Sequence, residues 1–187
     1  MKTRTLLPML LLLTCACAQA QNTNMPAPGA AAAPMAQQPA ATGRADAEAT
    51  IKGKKLSINY GRPALKGRDV LAQAPVGTVW RVGMNAATEI TTAADLMIGD
   101  KELKAGKYSL WVRRTGEDTW TLAFHPKTGV WGAPPLKEGY AAELPLKLEK
   151  ASDSMELLTI SLAAAKGDGE IKIHWGTALM SGKFGVK

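Results

Sequence analysis

Lys107-Tyr108-Ser109-Leu110-Trp111-Val112-Arg113 and Thr119-Trp120-Thr121-Leu122-Ala123-Phe124 stand on either side of Thr115-Gly116-Glu117-Asp118. Tyr108, Leu110 and Val112 share one face of an extended chain, and so do Trp120, Leu122 and Phe124. Two runs of period two on either side of a polar, glycine-bearing turn predict two short strands. Trp111 points away from Leu110 and Val112, toward either a second layer or an exposed binding surface.

The same alternation recurs along the chain. Lys55-Leu56-Ser57-Ile58-Asn59-Tyr60 places Leu56, Ile58 and Tyr60 together. Residues 156–162 align Leu158, Ile160 and Leu162, and residues 170–175 align Ile171, Ile173 and Trp175. Residues 178–186 are expected to supply a closing edge strand. Turn residues fall between these runs at Gly99-Asp100, Ala105-Gly106 and Gly167-Asp168-Gly169. No segment sustains a helical period, and the helical candidate at 70–73 is too short to matter. Residues 126–139 hold three prolines and three glycines and are expected to form a long loop. The expected fold is all-β, an antiparallel β-sandwich of jelly-roll-like type. Trp120 and Trp175 are expected in its core, and Trp131, in the loop, is a candidate for stacking on a ligand.

Composition divides the chain of 187 residues into three parts. Residues 1–20 have the form of an export signal: Lys2 and Arg4, an apolar run from Leu6 to Leu13, then Ala18-Gln19-Ala20. That run is far shorter than the ~20 residues of a membrane span. Two readings of its end remain. Cleavage after Ala20 removes Cys15 and Cys17, whereas a lipoprotein signal would make one of those cysteines an acylated N-terminus. Residues 21–46 contain nine alanines and four prolines and no aromatic residue, so they are expected to form a flexible spacer. Residues 47–187 hold fifteen of the sixteen acids and every aromatic side chain, which places the folded domain there. It contains no cysteine, so it offers neither a disulfide nor a thiol nucleophile. The expected location is the periplasm or the exterior, or the membrane surface if lipid-anchored.

Three segments are more specific than composition requires: 58–68 (Ile-Asn-Tyr-Gly-Arg-Pro-Ala-Leu-Lys-Gly-Arg), 79–90 (Val-Trp-Arg-Val-Gly-Met-Asn-Ala-Ala-Thr-Glu-Ile) and 103–110 (Leu-Lys-Ala-Gly-Lys-Tyr-Ser-Leu). With Asp118-Thr119-Trp120-Thr121-Leu122 and His174-Trp175-Gly176, they resemble the bacterial family known as domain of unknown function 2911, over about residues 47–180. The resemblance implies an exported β-rich domain and carries no activity. Relative to that family's pattern, Met84 stands for an alanine and Ala86 for a glutamate, which moves any role of that acid, with Glu89 the nearest substitute. Leu144-Pro145-Leu146 stands where a charged pair is usual, so apolar packing is expected there.

The net charge of +7 is concentrated. Between residues 49 and 68 there are six bases and no acid. Arg62, Lys66 and Arg68 ride a loop constrained by Gly61, Pro63 and Gly67, and Arg81 follows Trp80. Guanidinium groups grip phosphate or carboxylate through paired hydrogen bonds. The candidate binding set is therefore Tyr60, Arg62, Lys66, Arg68, Trp80, Arg81, Asn85 and Trp131, directed at an anionic envelope component or another envelope protein. The same bases also read as loop pins that pair with Asp69, Glu89 and main-chain carbonyls.

A catalytic set is harder to assemble. His125, ahead of Pro126 and the long loop, is the candidate general base, while His174 shares the polar face of its strand with Glu170 and Lys172 and reads as solvated. Two separated histidines without cysteine do not build a zinc site, and there is no phosphate-cradling glycine loop. No metal, cofactor or nucleic-acid partner is expected. The sequence reads as an exported, non-enzymatic envelope binding or interaction module, with a hydrolase based on His125 as the alternative.

Overall fold

The computed structural model describes residues 43–71, 73–131 and 135–187. The stretch expected to be an export signal, its expected cleavage and lipidation positions and nearly all of the expected spacer lie outside the described residues. Ten strands are formed: β1 (Arg44–Ile51), β2 (Lys54–Gly61), β3 (Val79–Trp80), β4 (Thr88–Thr92), β5 (Leu96–Ile98), β6 (Lys101–Leu103), β7 (Gly106–Arg114), β8 (Trp120–His125), β9 (Ala142–Ala165) and β10 (Asp168–Val186). Among the described residues there is no helix.

All pairings between strands are antiparallel, in the order β1-β2-β4-β7-β8-β9-β10-β5-β6, with β3 beside the far end of β7. The expectation of an all-β antiparallel fold holds. The hydrogen-bonded path is one open sheet, so the sandwich and jelly-roll detail finds no support in the pairing. The two longest strands are what make one sheet suffice. β9 pairs with β8 through residues 142–146 and with β10 along most of its length. The hairpin end of β9 and β10 comes back over β1 and β2. There Tyr60 Oη donates to Ile160 O (3.4 Å) and accepts from Ile160 N (3.1 Å). Beyond β2 the chain itself pairs with β9, Leu158 N donating to Pro63 O and Leu65 N to Glu156 O.

Turn chemistry explains the tight connections. Lys52-Gly53 between β1 and β2, and Lys166-Gly167 between β9 and β10, all have positive φ. That is the two-residue hairpin geometry whose twist matches the strands it joins. The second position in each is glycine, where a left-handed backbone carries no Cβ penalty.

The main core lies between the folded-over parts of the sheet. Ile58, Leu110, Val112, Leu122, Phe124, Ile173 and Trp175 meet there, and Trp120 is also inside at 3% exposure. Trp80 stacks on Trp175, with ring centroids 5.4 Å apart and planes 12° apart. Trp111 faces the other side of β7 and is fully buried, so the second-layer alternative is the one realised. Its cover is Ala87, Ala123 and Val130, with Val79, Leu136 and Tyr140 at the margin. A polar chain fixes that cover: the Trp111 indole N–H donates to Ser109 Oγ (2.9 Å), which donates to Lys127 O (2.7 Å).

Three expectations need correction. β1 starts at Arg44, inside the stretch expected to be spacer; its inward residues are Ala45, Ala47, Ala49 and, at its very end, Ile51, and three small alanines do not mark a strand. Residues 178–186 are not an edge, because β10 lies between β9 and β5. His174 is half-buried and its Nε2 is enclosed with no hydrogen-bond partner among the described residues, so it is not a solvated histidine.

Candidate functional site

The residues singled out for an anion site divide by burial. Arg62 is 5% exposed; its Nε donates to Leu158 O (3.1 Å) and its Nη2 to Thr159 Oγ1 (3.4 Å), tying the end of β2 to β9. Tyr60 makes the neighbouring tie to Ile160. Arg81 Nη1 donates to Asn85 O (2.7 Å) within its own loop. Lys66 and Arg68 are exposed; the Lys66 N–H donates to Glu156 Oε1, and Arg68 Nε reaches Leu65 O at 3.4 Å. Trp131 is 71% exposed and bridges to Ala86.

The two long signature segments do meet, and the contact is architectural. A Cβ on Gly61 would lie 2.4 Å from Met84 O, and one on Gly83 3.0 Å from Gly61 O, so the two backbones touch where only glycines fit. Val82 has φ 53, a conformation strained for a β-branched residue. It is held by full burial and by the Thr88 hydroxyl, which donates to Val82 O (2.7 Å). Asn85 takes a left-handed φ of 63, which asparagine tolerates better than most residues.

Glu89 makes contacts that suit the displaced acid. It accepts from Gly129 N (2.6 Å) and pairs with Lys107 (2.6 Å), and so holds the long loop. Burial pushes its carboxyl pKa up, but the Gly129 N–H, the Lys107 ammonium and the charge of Arg44 together outweigh that, and the net shift is downward. A lowered folded pKa gives stability above the ordinary carboxylate value that disappears as pH falls through the folded one. Glu89→Gln is therefore expected to destabilise at neutral pH, and the gap in urea midpoint between variant and wild type should close on acidification. Leu144 and Leu146 are buried in the core as expected, while the adjacent Glu143 pairs with Arg113 (2.6 Å) and accepts from Thr121 Oγ1 (3.0 Å).

His125 Nδ1 accepts from Lys127 N (2.9 Å), and its ring meets Tyr140 edge-on at 5.9 Å. The hydroxyl that strand register places opposite it is Ser109. Ser109 is fully buried, donates to Lys127 O and accepts from Trp111. Among the described residues no cluster of three or more His, Cys, Asp or Glu side chains is placed to hold a metal ion.

The site that sequence reasoning missed is a cleft of about 260 Å³ at one end of the core. The loop after β2, the turn between β7 and β8, and the bulged middle of β10 enclose it. Its deep lining is Leu71 and Trp120, with Ala178 and the exposed Leu148 beside them. Its exposed lining carries Asp69, Glu117, Asp118 and Glu149 against Lys150, with the half-buried Arg114 beside them. The Arg114 guanidinium is spent on the chain itself: Nε donates to Glu117 O (3.1 Å), Nη1 to Ala74 O, and Cζ lies 5.5 Å over the Trp120 ring. The Trp120 indole N–H is buried without a hydrogen-bond partner among the described residues. A second cleft of about 220 Å³, lined by Arg68, Ser154 and Gly176, shares Asp69 and Thr177 with the first. A broader hollow of about 470 Å³ around Pro145 and Gly182 carries no aromatic group. No periodic signal marks the first cleft, because its walls come from four separated parts of the chain.

Fold and geometry define an antiparallel β domain built on a single sheet, with a mixed apolar and charged cleft at one end. Residues 42–184 match the family described as protein of unknown function (DUF2911), and the chain belongs to that family. No curated protein matches the chain, and neither does any solved structure.

Proposed function

We propose that this chain is a non-enzymatic binding module of the bacterial cell envelope, exported by its N-terminal signal and presented on the Ala/Pro-rich spacer. The observation that carries this is the cleft beside Trp120: an apolar floor continuous with the core under a charged rim. Binding sites typically combine concave apolar surface with a few placed polar groups. Lys66 and Arg68 keep the anion-binding part of the reading, since Arg68 lines the adjoining cleft beside Ser154 and Thr177. Arg62 and Arg81 are better explained as ties within the chain. The hydrolase alternative draws less support, because Ser109, the hydroxyl paired with His125, is enclosed and already hydrogen-bonded on both sides.

Thermal-shift measurements with envelope sugars, phosphates, amino-acid derivatives and divalent cations test the proposal. Thr177 is exposed and borders both clefts, so Thr177→Trp fills them with little demand on the core. Some member of the panel is expected to raise the wild-type melting temperature and to lose that effect in Thr177→Trp. Equal shifts in both proteins, or no shift with any compound, would remove the cleft from consideration.

A further inference from the structure

Away from the cleft, three side chains stand in one row on the side of the sheet that carries Trp111. Glu89 on β4 is in register with Ser109 on β7, and Ser109 with His125 on β8. Residues 126–131 run past this row and bond to each of its members. The Lys127 N–H donates to His125 Nδ1 (2.9 Å), Lys127 O accepts from Ser109 Oγ (2.7 Å), and the Gly129 N–H donates to Glu89 (2.6 Å). Val130 O then accepts from Ala87 N (2.8 Å), and Val130 packs on the buried Trp111. We propose that residues 126–131 are an acid-released strap, pinned over Trp111 at neutral pH and let go in two steps as the medium acidifies, first at Lys127 and then at Gly129.

The chemistry of the pins sets that order. Nδ1 accepts the Lys127 N–H only while it carries no proton, and histidine changes its charge within about pH 5–8. A protonated Nδ1 is a donor facing a donor. The groups around the ring do not offset the new charge. Tyr140 meets it edge-on, and burial pushes the phenol pKa up, so that neighbour stays neutral. Arg113 on β7 lies 4.9 Å over the same phenol, and Glu143 on β9 is already paired with Arg113. Gly139 abuts Nε2, where a Cβ would come within 3.2 Å, and the strap's own Lys127 is a further base. Glu89 behaves differently. Burial raises its carboxyl pKa, but the Gly129 N–H, Lys107 on β7 and the charge of Arg44 on β1 outweigh that and hold it below the ordinary value. Its pin is present at neutral pH and is lost only as pH falls through that lowered value, after the histidine pin has gone. Ser109 does not titrate, so the first step loosens the strap without freeing it.

The test is backbone amide exchange followed by NMR on the purified protein, each rate divided by that of an unstructured peptide at the same pH. From about pH 7.5 to about pH 5.5, protection of the Lys127 amide is expected to fall about fivefold, the factor corresponding to one ordinary hydrogen bond. Protection of Gly129 should hold over that interval and fall only below the ordinary carboxylate range. His125→Asn keeps an acceptor oxygen for the N–H two residues on, as in an Asx turn, and does not titrate. Its Lys127 protection is expected to stay level. Glu89→Gln likewise keeps an acceptor oxygen for Gly129 without the charge, so its Gly129 protection is expected not to change with pH. Level Lys127 protection in the wild type would overturn the proposal, and that measurement needs no variant. So would an equal fall in His125→Asn, or a fall shared by core amides such as that of Leu122, which marks a softening of the whole domain. Gly129 protection that falls in Glu89→Gln as it does in the wild type would overturn the second step.

Discussion

Replacing Trp111 by alanine is expected to lower the stability of the domain by about 3–5 kcal/mol, the range for removing a buried tryptophan or phenylalanine from a packed site. Net stabilities are only about 5–15 kcal/mol, so the variant would stand near the edge of folding. The side chain is wholly enclosed, and little can move to fill the space it leaves. Ala87 and Ala123 have no length to spare, and Val130 is fixed by its carbonyl, which accepts from Ala87 N at 2.8 Å. A second loss adds to the cavity: without the indole N–H, Ser109 Oγ loses a donor, and the hydroxyl that anchors Lys127 O is no longer oriented. Urea denaturation of wild type, Trp111→Phe and Trp111→Ala measures both parts. Phenylalanine keeps most of the volume and none of the hydrogen bond, so it should fall between the other two. A loss below about 1 kcal/mol for the alanine variant, the ordinary cost of a mutation without a named mechanism, would show that the loop does not pack on this side chain.

The history of Trp111 shows what sequence could and could not provide. Alternation around Leu110 and Val112 identifies the strand and the direction of the tryptophan, because the period of two is local. What covers Trp111 is not local: Val130 and Leu136 come from a segment with no period at all, read only as a long loop. β1 was hidden for a different reason. Three of its four inward positions are alanines, which carry too little hydrophobicity to mark a face, with Ile51 alone at its end, and the strand exists because β2 pairs with it along eight residues. The same limit applies to the cleft. Glu117 and Asp118 read as turn residues and Trp120 as core, and both descriptions are correct. They become a possible site only because a bulge in β10 and the loop after β2 are brought against them. The basic run at 49–68, conspicuous in the sequence, is dispersed by folding: Lys52 reaches Val186 O and Asp168, Lys55 pairs with Glu48, and Arg62 turns inward.

Arg62→Leu is expected to cost about 2–4 kcal/mol, given that a hydrogen bond from a charged donor contributes roughly 1.5–3 kcal/mol and Arg62 makes two to β9. The Leu158 oxygen it leaves cannot turn to water, since Leu158 is fully buried where β9 meets the chain beyond β2. Leucine restores bulk without a donor, which separates loss of packing from loss of bonding. Arg62→Lys keeps the charge and gives up the planar fork, and should recover less than half of the loss. These two variants decide whether the most specific arginine in the chain serves architecture or recognition. An architectural arginine predicts a large fall in urea midpoint and an unchanged ligand-induced thermal shift, measured well below the variant's own melting temperature. A recognition arginine predicts the reverse: little change in stability and loss of the shift with any anionic ligand. The distance from Arg62 to its partners, nearly a hundred residues along the chain, is why only the folded structure distinguishes the two. Gly61 bears on the same joint, since its α-carbon lies against Met84. A tie at Arg62 beside a contact that admits no side chain is the arrangement of a fixed corner, on which the cleft-forming loop at 65–71 depends for its position.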